Sequence, residues 1–133
     1  MNGANVKVYS RAKDGLEKLS TNFKVNEFAC PDGSDPIFVS PELVDVLQKI
    51  RSRFCRPVTI KSGYRTPTNN KAVGGAADSQ HLYGTAADIT VKGVEPKKIA
   101  AYADALLPHT GGIGIYDTFV HIDVRAVRTR WNG

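Results

Sequence analysis

The sequence predicts a single α+β domain in which a small, mainly antiparallel sheet is flanked by helices. Two segments have the apolar spacing of amphipathic helices, short segments of alternating apolar residues separate them, and two strand-like segments follow one another closely near the C-terminus. Strands that are joined by a tight turn pair antiparallel. At 133 residues, the chain is long enough for one core and too short for two ordinary domains.

The helices are predicted from capping residues and apolar spacing. In residues 40–54, SPELVDVLQKIRSRF, Ser40 is placed as the N-cap and Pro41 at the first helical position. Residues 95–107, EPKKIAAYADALL, form the second predicted helix. The apolar stripes that we expect to face the core are Leu43, Val44, Leu47, Ile50 and Phe54 in the first helix, and Ile99, Tyr102, Ala103 and Leu106 in the second.

The strands are predicted from alternation and turn signals. Residues 56–63 (RPVTIKSG) and 86–91 (AADITV) each indicate a strand, and residues 112–124 indicate a pair of strands with a tight turn near Asp117 and Thr118. The connection at 64–79 is long, with one helical turn expected around TPTNNKAV, and long ordered loops tend to be functional. A short strand or extended arm near the N-terminus is expected to pack Phe23, Val25 and Phe28 on the domain.

Composition limits the possible partners. Lys and Arg outnumber Asp and Glu by 18 to 13, and the net charge of +5 favours encounters with anionic polymers such as nucleic acid or bacterial cell wall. The basic residues are dispersed, and no nucleic-acid-binding signature accompanies them. The sequence has no apolar run of the ~20 residues that a membrane span requires, and its N-terminus lacks the apolar region of a secretory signal, so we expect synthesis in the cytoplasm. Cys30 and Cys55 are interpreted as buried or free thiols.

One constellation predicts chemistry. His81, Asp88 and His121 can meet if the AADI and FVHID strands are neighbours and the SQH loop folds over one edge of the sheet. Two imidazoles and a carboxylate suit zinc and leave a fourth position to water, whose pKa zinc lowers toward ~7. Simpler interpretations stay open, because a lone histidine is commonly structural and Asp88 could cap a turn or pair with a basic residue. His109 is interpreted as a surface loop residue.

Three segments carry a resemblance to a known family. In this order and spacing, SGYRTP, GGAADSQHLYGTAADI and GGIGIYDTFVHIDVR resemble the zinc D-alanyl-D-alanine carboxypeptidase-like peptidases, a group that includes bacterial wall enzymes and phage endolysins. The resemblance covers roughly residues 20 to 131, and its specific part is SxHxxGxAxD followed by a late HxD. It implies a hedgehog/DD-peptidase-like fold, one catalytic zinc, and hydrolysis of peptide or amide bonds in the stem or cross-link peptides of peptidoglycan. Residues 1–133 would then be one zinc peptidase domain, with 1–20 as an extended N-terminal arm and 21–131 as the catalytic core.

The resemblance also implies roles for individual residues. His81, Asp88 and His121 match the zinc ligands of the family. Arg65, in SGYR, matches the arginine that faces the substrate carbonyl or carboxylate and steadies the oxyanion. The fixed charge and forked donors of a guanidinium suit it to that role.

The general base is where this sequence departs from the family. Many relatives have an acid three residues before the last histidine ligand and some have a histidine two before it, whereas this chain has Thr118 and Phe119. Asp117 and Asp123 are the available carboxylates. In an extended strand Asp123 shares a face with His121, so it could shuttle protons or hold the tautomer of the imidazole, and the second role is favoured. Asp117 lies in the expected turn, where aspartate is common for local reasons.

Two functions remain in view. The first is a peptidoglycan peptidase, expected to be a phage or prophage endolysin that waits in the cytoplasm for a holin and then acts on the wall as a monomer. Its partners would be stem peptides and anionic wall polymers, the latter through an attraction that weakens as salt rises. The alternative is a catalytically silent, zinc-containing module that binds the wall, which the absence of an acid at position 118 supports.

Overall fold

The computed structural model describes residues 5–133, which form a mixed α/β structure. Its strands are β1 (Lys7–Ser10), β2 (Lys18–Ser20), β3 (Phe23–Lys24), β4 (Pro36–Val39), β5 (Val58–Ser62), β6 (Ala86–Val91), β7 (Gly112–Ile115), β8 (Val120–Asp123) and β9 (Thr129–Asn132). Its helices are α1 (Arg11–Asp14), α2 (Pro41–Phe54), α3 (Pro67–Ala72) and α4 (Pro96–Leu106), with 3₁₀ turns at Val25–Phe28 and Gln80–Tyr83. Within the described part of the chain, no helix is long and apolar enough to cross a membrane.

A five-stranded sheet organises the molecule. Its strand order is β5-β6-β8-β7-β9, and every pairing is antiparallel except that of β7 with β9. Two small antiparallel pairs, β1 with β4 and β2 with β3, lie outside this sheet. The predicted α+β class and the mainly antiparallel sheet are therefore confirmed.

The register of the central strands positions the predicted metal ligands. Asp88 in β6 is directly opposite His121 in β8, and Gly114 in β7 is opposite His121 on its other side. Ser62, at the end of β5, is paired with Asp88 after a shift of register that follows Ile60. Because opposite residues in a sheet have neighbouring side chains, this register brings Asp88 and His121 together.

Helix α2 has the predicted boundaries. The Ser40 hydroxyl accepts a hydrogen bond from the Leu43 N–H at 3.4 Å, and Pro41 follows at the first helical position. Cys55 ends the helix in the left-handed region at φ 53°. The predicted stripe is buried from Leu43 to Ile50. Burial of this apolar face against the rest of the core is what holds the helix in place.

Residues 5–20 are more regular than the predicted extended arm, and residues 1–4 of that arm lie outside the described part of the chain. Strand β1 pairs with β4, and the carboxylate of Asp35 accepts hydrogen bonds from the Ala12 N–H and the Ser10 hydroxyl, both at 2.8 Å. Both cysteines are free thiols, Cys30 buried and Cys55 exposed.

The segment from Phe23 to Phe28 is only in part the predicted short strand, which is limited to β3 (Phe23–Lys24). Phe23, Val25 and Phe28 are buried in the core as expected, but most of the segment is a 3₁₀ turn. The Glu27 carboxylate accepts a hydrogen bond from the Lys24 N–H at 2.7 Å, which caps the start of the turn.

Candidate metal centre

Three buried side chains of ligand type meet at one end of the central sheet. His81 comes from the 3₁₀ turn, Asp88 from β6 and His121 from β8. One potential ligand atom from each lies within 4.8 Å of the other two. The structure therefore brings together the three residues that the sequence predicted as zinc ligands.

His81 is fixed by its local backbone. The Ser79 hydroxyl caps the turn by accepting from the His81 N–H at 3.2 Å, and Gly84 ends the turn in the left-handed region at φ 73°. Nδ1 of His81 lies 2.7 Å from the carbonyl oxygen of Gly63, which requires the ring to donate from Nδ1. Nε2 is left facing Oδ1 of Asp88 at 3.3 Å.

His121 is fixed by a carboxylate two residues away. Its Nε2 lies 2.7 Å from Oδ2 of Asp123, and its Nδ1 lies 3.1 Å from Oδ1 of Asp88. An ionised carboxylate can only accept, so the ring donates from Nε2 and keeps its Nδ1 lone pair toward Asp88. This is the outer support that metal-binding histidines generally have.

The donor set fits a zinc ion. The free nitrogens of His81 and His121 and Oδ1 of Asp88 converge on one point, an arrangement that is unfavourable unless a cation lies among them. Two imidazole nitrogens and one carboxylate oxygen are ligands that zinc takes in catalytic sites. These residues can therefore hold the predicted metal.

The pKa shifts of Asp88 and His121 indicate that the cluster favours a positive charge. Burial alone would raise the pKa of Asp88, but hydrogen bonds with His121 and His81 outweigh burial and hold this pKa well below its ordinary value. Burial alone would lower the pKa of His121, but hydrogen bonds with Asp123 and Asp88 raise it above its ordinary value. Both shifts favour a cation beside the carboxylates, which a proton or a metal ion can supply.

Asp123 is fully buried behind His121 and is held from the other side. Its Oδ1 accepts from the Gly112 N–H at 2.9 Å, and its Oδ2 accepts from Nη2 of Arg125 at 2.7 Å. Burial would raise the pKa of Asp123, but hydrogen bonds with His121 and Arg125 hold it well below its ordinary value. A Cβ on Gly112 would lie 2.3 Å from Oδ2 of Asp123, so only glycine leaves room for this carboxylate.

Arg65 lies at the cluster, as the sequence predicted. Its Nη2 is 3.4 Å from Oδ2 of Asp88, its Nε donates to the Ser62 hydroxyl at 3.1 Å, and its Nη1 donates to Oδ1 of Asn70 at 3.2 Å. Its backbone N–H donates to the carbonyl oxygen of His81. The guanidinium is therefore held rigidly beside a ligand carboxylate.

The cluster opens into a cleft of about 520 Å³. One wall is aromatic and comes from Tyr116, Phe119 and Trp131, with Arg125 beside it, while the other is the loop around residues 73–80. The Tyr116 and Phe119 rings stack at a centroid distance of 4.5 Å, and Nε1 of Trp131 donates to the Tyr116 hydroxyl at 3.0 Å. The lining of the cleft is thus partly aromatic and includes all three residues of the cluster.

Asp117 is the predicted site residue that the structure does not bring to the cluster. It is exposed in the turn between β7 and β8, and it lines a separate depression with Glu95 and Lys97. Asp117 does not line the cleft that contains His121. Thr118 and His109 are exposed as well, the latter as expected.

Sequence reasoning missed Arg125, Trp131 and Asp78 as residues that line the cleft. Trp131 lies in β9 opposite Gly114, where a Cβ would be 2.4 Å from the indole ring. The alternating glycines at 112 and 114 were a signal that large groups cover this strand. The Asp78 carboxylate accepts a hydrogen bond from the Tyr83 hydroxyl at the rim of the cleft.

Comparisons with known proteins agree with this geometry. The model of the peptidase M15 family matches residues 18–123. The "Probable peptidoglycan L,D-endopeptidase MepK" of Haemophilus influenzae is 35% identical over 83 residues, which are 57% of this chain and 43% of that protein. The zinc D-Ala-D-Ala carboxypeptidase of Streptomyces albus G is 41% identical over 54 residues, 41% of this chain and 20% of that protein.

A third relative is the peptidoglycan L,D-endopeptidase MepK of Escherichia coli K12, which is 34% identical over 99 residues, 68% of this chain and 53% of that protein. This chain thus spans between a fifth and about half of the length of these relatives. The family match includes all three predicted metal ligands and covers most of the chain. The chain therefore belongs to the peptidase M15 family, which confirms the zinc peptidase family that its motifs resemble.

Proposed function

We propose that this chain is a zinc-dependent peptidase that hydrolyses a peptide bond in the stem or cross-link peptides of peptidoglycan. The observation that carries the proposal is the convergence of His81, Asp88 and His121 beside an open cleft, with the tautomer of each ring fixed from behind. Relatives named as peptidoglycan endopeptidases and as a zinc D-Ala-D-Ala carboxypeptidase support this substrate class.

The candidate ligands and Arg65 would have different roles in the reaction. His81, Asp88 and His121 would hold zinc, which supplies a Lewis acid for hydrolysis when bound. Arg65, anchored by Ser62 and Asn70, would present its positive charge to the substrate carbonyl and to the oxyanion that develops from it. A guanidinium held in advance costs little reorganisation during the reaction.

Proton transfer requires a general base, and three carboxylates of this chain are candidates. Asp123 is buried and bonded to His121 and Arg125, a placement that suits positioning of the imidazole. Asp117 lies outside the cleft, whereas Asp78 lines it and is bonded to the Tyr83 hydroxyl. The base is the residue whose change to Asn retains zinc and lowers turnover by about 100- to 10,000-fold.

We also propose that anionic wall polymers bind near the start of β5, at the opposite end of the strand from Ser62 and the metal centre. Arg53, Arg56 and Lys98 line a groove there beside Phe54 and Tyr102, and its lining includes no acidic residue. Within residues 5–133, none of these three cations has a carboxylate partner within 4.0 Å, so their charge is available to phosphate groups.

The finer expectations extend this proposal. The fold would be of the hedgehog/DD-peptidase type, residues 21–131 would be the catalytic core, and the protein would act as a monomeric endolysin released by a holin. The motifs quoted for the resemblance support them. Expression together with a holin, followed by loss of turbidity of the host culture, tests the endolysin role.

The second candidate is a catalytically silent module that holds zinc and binds wall. Two observations favour it: position 118 is an exposed threonine and not an acid, and Asp123 is already engaged by Arg125. Such a module would pellet with walls without releasing peptides.

One experiment distinguishes the two. Purified walls are incubated with the native protein, with and without a chelator, and the soluble products are analysed by mass spectrometry. New peptide ends that depend on metal support the peptidase and identify the bond, whereas co-sedimentation without new ends supports the silent module.

A further inference from the structure

We propose that Arg125 forms a carboxylate-binding subsite beside the metal centre, so that the preferred substrates carry a free carboxylate near the bond to be cleaved. The inference rests on the proposed peptidase function and adds its substrate class. Arg125 follows β8, outside the segment that the family model matches, and it lines the same cleft as His121.

The hydrogen bonds of Arg125 leave one end of its guanidinium free. Nε donates to both oxygens of Asp123, at 2.9 and 3.1 Å, and Nη2 donates to Oδ2 at 2.7 Å. Among the described residues, Nη1 of Arg125 has no hydrogen-bond partner. Every buried side-chain nitrogen or oxygen in the described residues has a partner, so Nη1 is not buried. Nη1 is therefore open to solvent, and the side chain is 27% exposed.

The free end is held in place in advance. The Arg125 guanidinium carbon lies 5.5 Å from the centre of the Trp131 ring, so it packs on the aromatic wall. A Cβ on Gly112 would come within 2.8 Å of its Nε, so this glycine leaves space for Arg125 as well as for Asp123. A clamped cation that keeps two N–H donors is ready to bind an anion with little loss of side-chain entropy.

The chemistry favours a carboxylate over a neutral group. Arg65 uses Nε, Nη1 and Nη2 within the protein, whereas Arg125 keeps Nη1 for a ligand. Hydrogen bonds from a guanidinium to a carboxylate are about twice as strong as those between neutral groups. Amidation of the same carboxyl group would remove its charge and would place an NH₂ donor against the N–H donors of Arg125.

The test compares matched peptides. Two pairs of stem-type peptides are prepared: one pair has a free or amidated C-terminal carboxyl, and the other has a free or amidated side carboxyl on an internal acidic residue. The native protein is expected to cleave the free-carboxylate member of at least one pair with a kcat/KM ~10- to 100-fold above that of its amide.

Variants separate recognition from support of Asp123. Arg125→Gln is expected to lose the preference, mainly through a raised KM for the free carboxylate, while the amidated peptide shows only the smaller loss that comes from weaker support of Asp123. Arg128→Gln removes the same charge from an exposed arginine that is paired with Asp104 outside the cleft, and it should keep the preference. Zinc content of each variant is measured in parallel.

Three results would overturn the subsite: equal cleavage of both members of each pair by the native protein, a preference that survives in Arg125→Gln, or equal losses on free and amidated peptides in that variant. The last result would show that Arg125 acts only by holding Asp123. If the native protein cleaves neither the peptides nor purified walls, the proposed peptidase function fails, and the subsite falls with it.

Discussion

The carboxylate of Asp123 lies 2.7 Å from Nε2 of His121 and thereby turns Nδ1 of the same ring toward Asp88. One buried side chain thus sets which nitrogen of a neighbouring residue faces the metal position. The position of Asp123 depends on Gly112 in β7, which leaves space for the carboxylate. It also depends on Arg125 after β8, whose positive charge is paired with that carboxylate.

Asp123→Asn is expected to weaken zinc binding by about 10- to 100-fold, the usual cost of losing a carboxylate that supports a metal-binding histidine. Calorimetric titration of the metal-free protein with zinc measures the effect. Asp117→Asn is the matched control, because Asp117 is exposed in a turn outside the cleft and its loss should leave the affinity unchanged. Equal affinities for Asp123→Asn and the native protein would refute the supporting role.

Gly112→Ala is expected to destabilise the fold by about 1 to 3 kcal/mol, since the added methyl group overlaps Asp123 and the backbone on both sides is fixed in the sheet. Denaturant unfolding at neutral pH measures the change. Gly114→Ala, two residues along the same strand, displaces the Trp131 ring instead and should retain more of the zinc affinity. A Gly112→Ala protein that unfolds at the native midpoint and binds zinc normally would show that the pocket around Asp123 is looser than described.

Asp104→Asn should lower stability mainly at neutral pH. Hydrogen bonding by Arg130, at 2.7 Å, lowers the pKa of Asp104 relative to the unfolded chain. The stabilisation is therefore present above the ordinary aspartate pKa of about 3.9 and is lost as pH falls below it. Because Asp104 is half exposed, we expect a loss below about 1 kcal/mol at pH 7, and a smaller loss near pH 2.

Thermal unfolding across this pH range makes the comparison. Arg130 also donates to the backbone oxygens of Leu107 and Gly111, so this cluster joins α4 to β9, the strand of Trp131. A difference between variant and native protein that persists unchanged at pH 2 would mean that the carboxylate charge is not its source.

Replacement of Arg53, Arg56 and Lys98 by Gln is expected to reduce binding to walls that contain anionic polymers at low salt. The native protein should lose the same binding as salt rises, because exposed charges are screened beyond ~10 Å at 0.1 M. Co-sedimentation with walls measures binding, and hydrolysis of a small peptide measures the cleft independently.

The control for this triple variant removes three exposed lysines elsewhere, at positions 7, 13 and 18, and so has the same net charge. If both triple variants bind walls equally well, the attraction comes from the overall charge, and the groove has no special role.

The parts of this structure that could be predicted from the sequence depend on local signals. Helix α2 has a serine cap, a proline at its first position and an uninterrupted apolar stripe, so propensity and burial agree on its limits. The grouping of the candidate metal ligands could be predicted because Asp88 and His121 lie in predicted strands, and a family motif includes His81.

The parts that could not be predicted depend on long-range contacts. Strand β9 pairs parallel with β7, and no strand was predicted from the sequence after residue 124, so the contact of Trp131 with His121 was not foreseen. Strands β1 and β4 are short and pair across 25 or more residues, where local alternation says little about the partner. Asp117 was a candidate base because it is close to His121 in sequence. Proximity in sequence does not determine whether a residue in a turn reaches the cleft.

The most direct test of the central claim measures zinc content and wall hydrolysis together in native protein, His81→Ala and His109→Ala. Both changes remove one histidine, but only His81 belongs to the cluster, since His109 is exposed in a loop. The account predicts about one zinc per chain with new peptide ends in the native protein and in His109→Ala, and loss of both in His81→Ala. Native protein that binds no zinc when metal is supplied, or a His81→Ala protein that still hydrolyses walls, would contradict it.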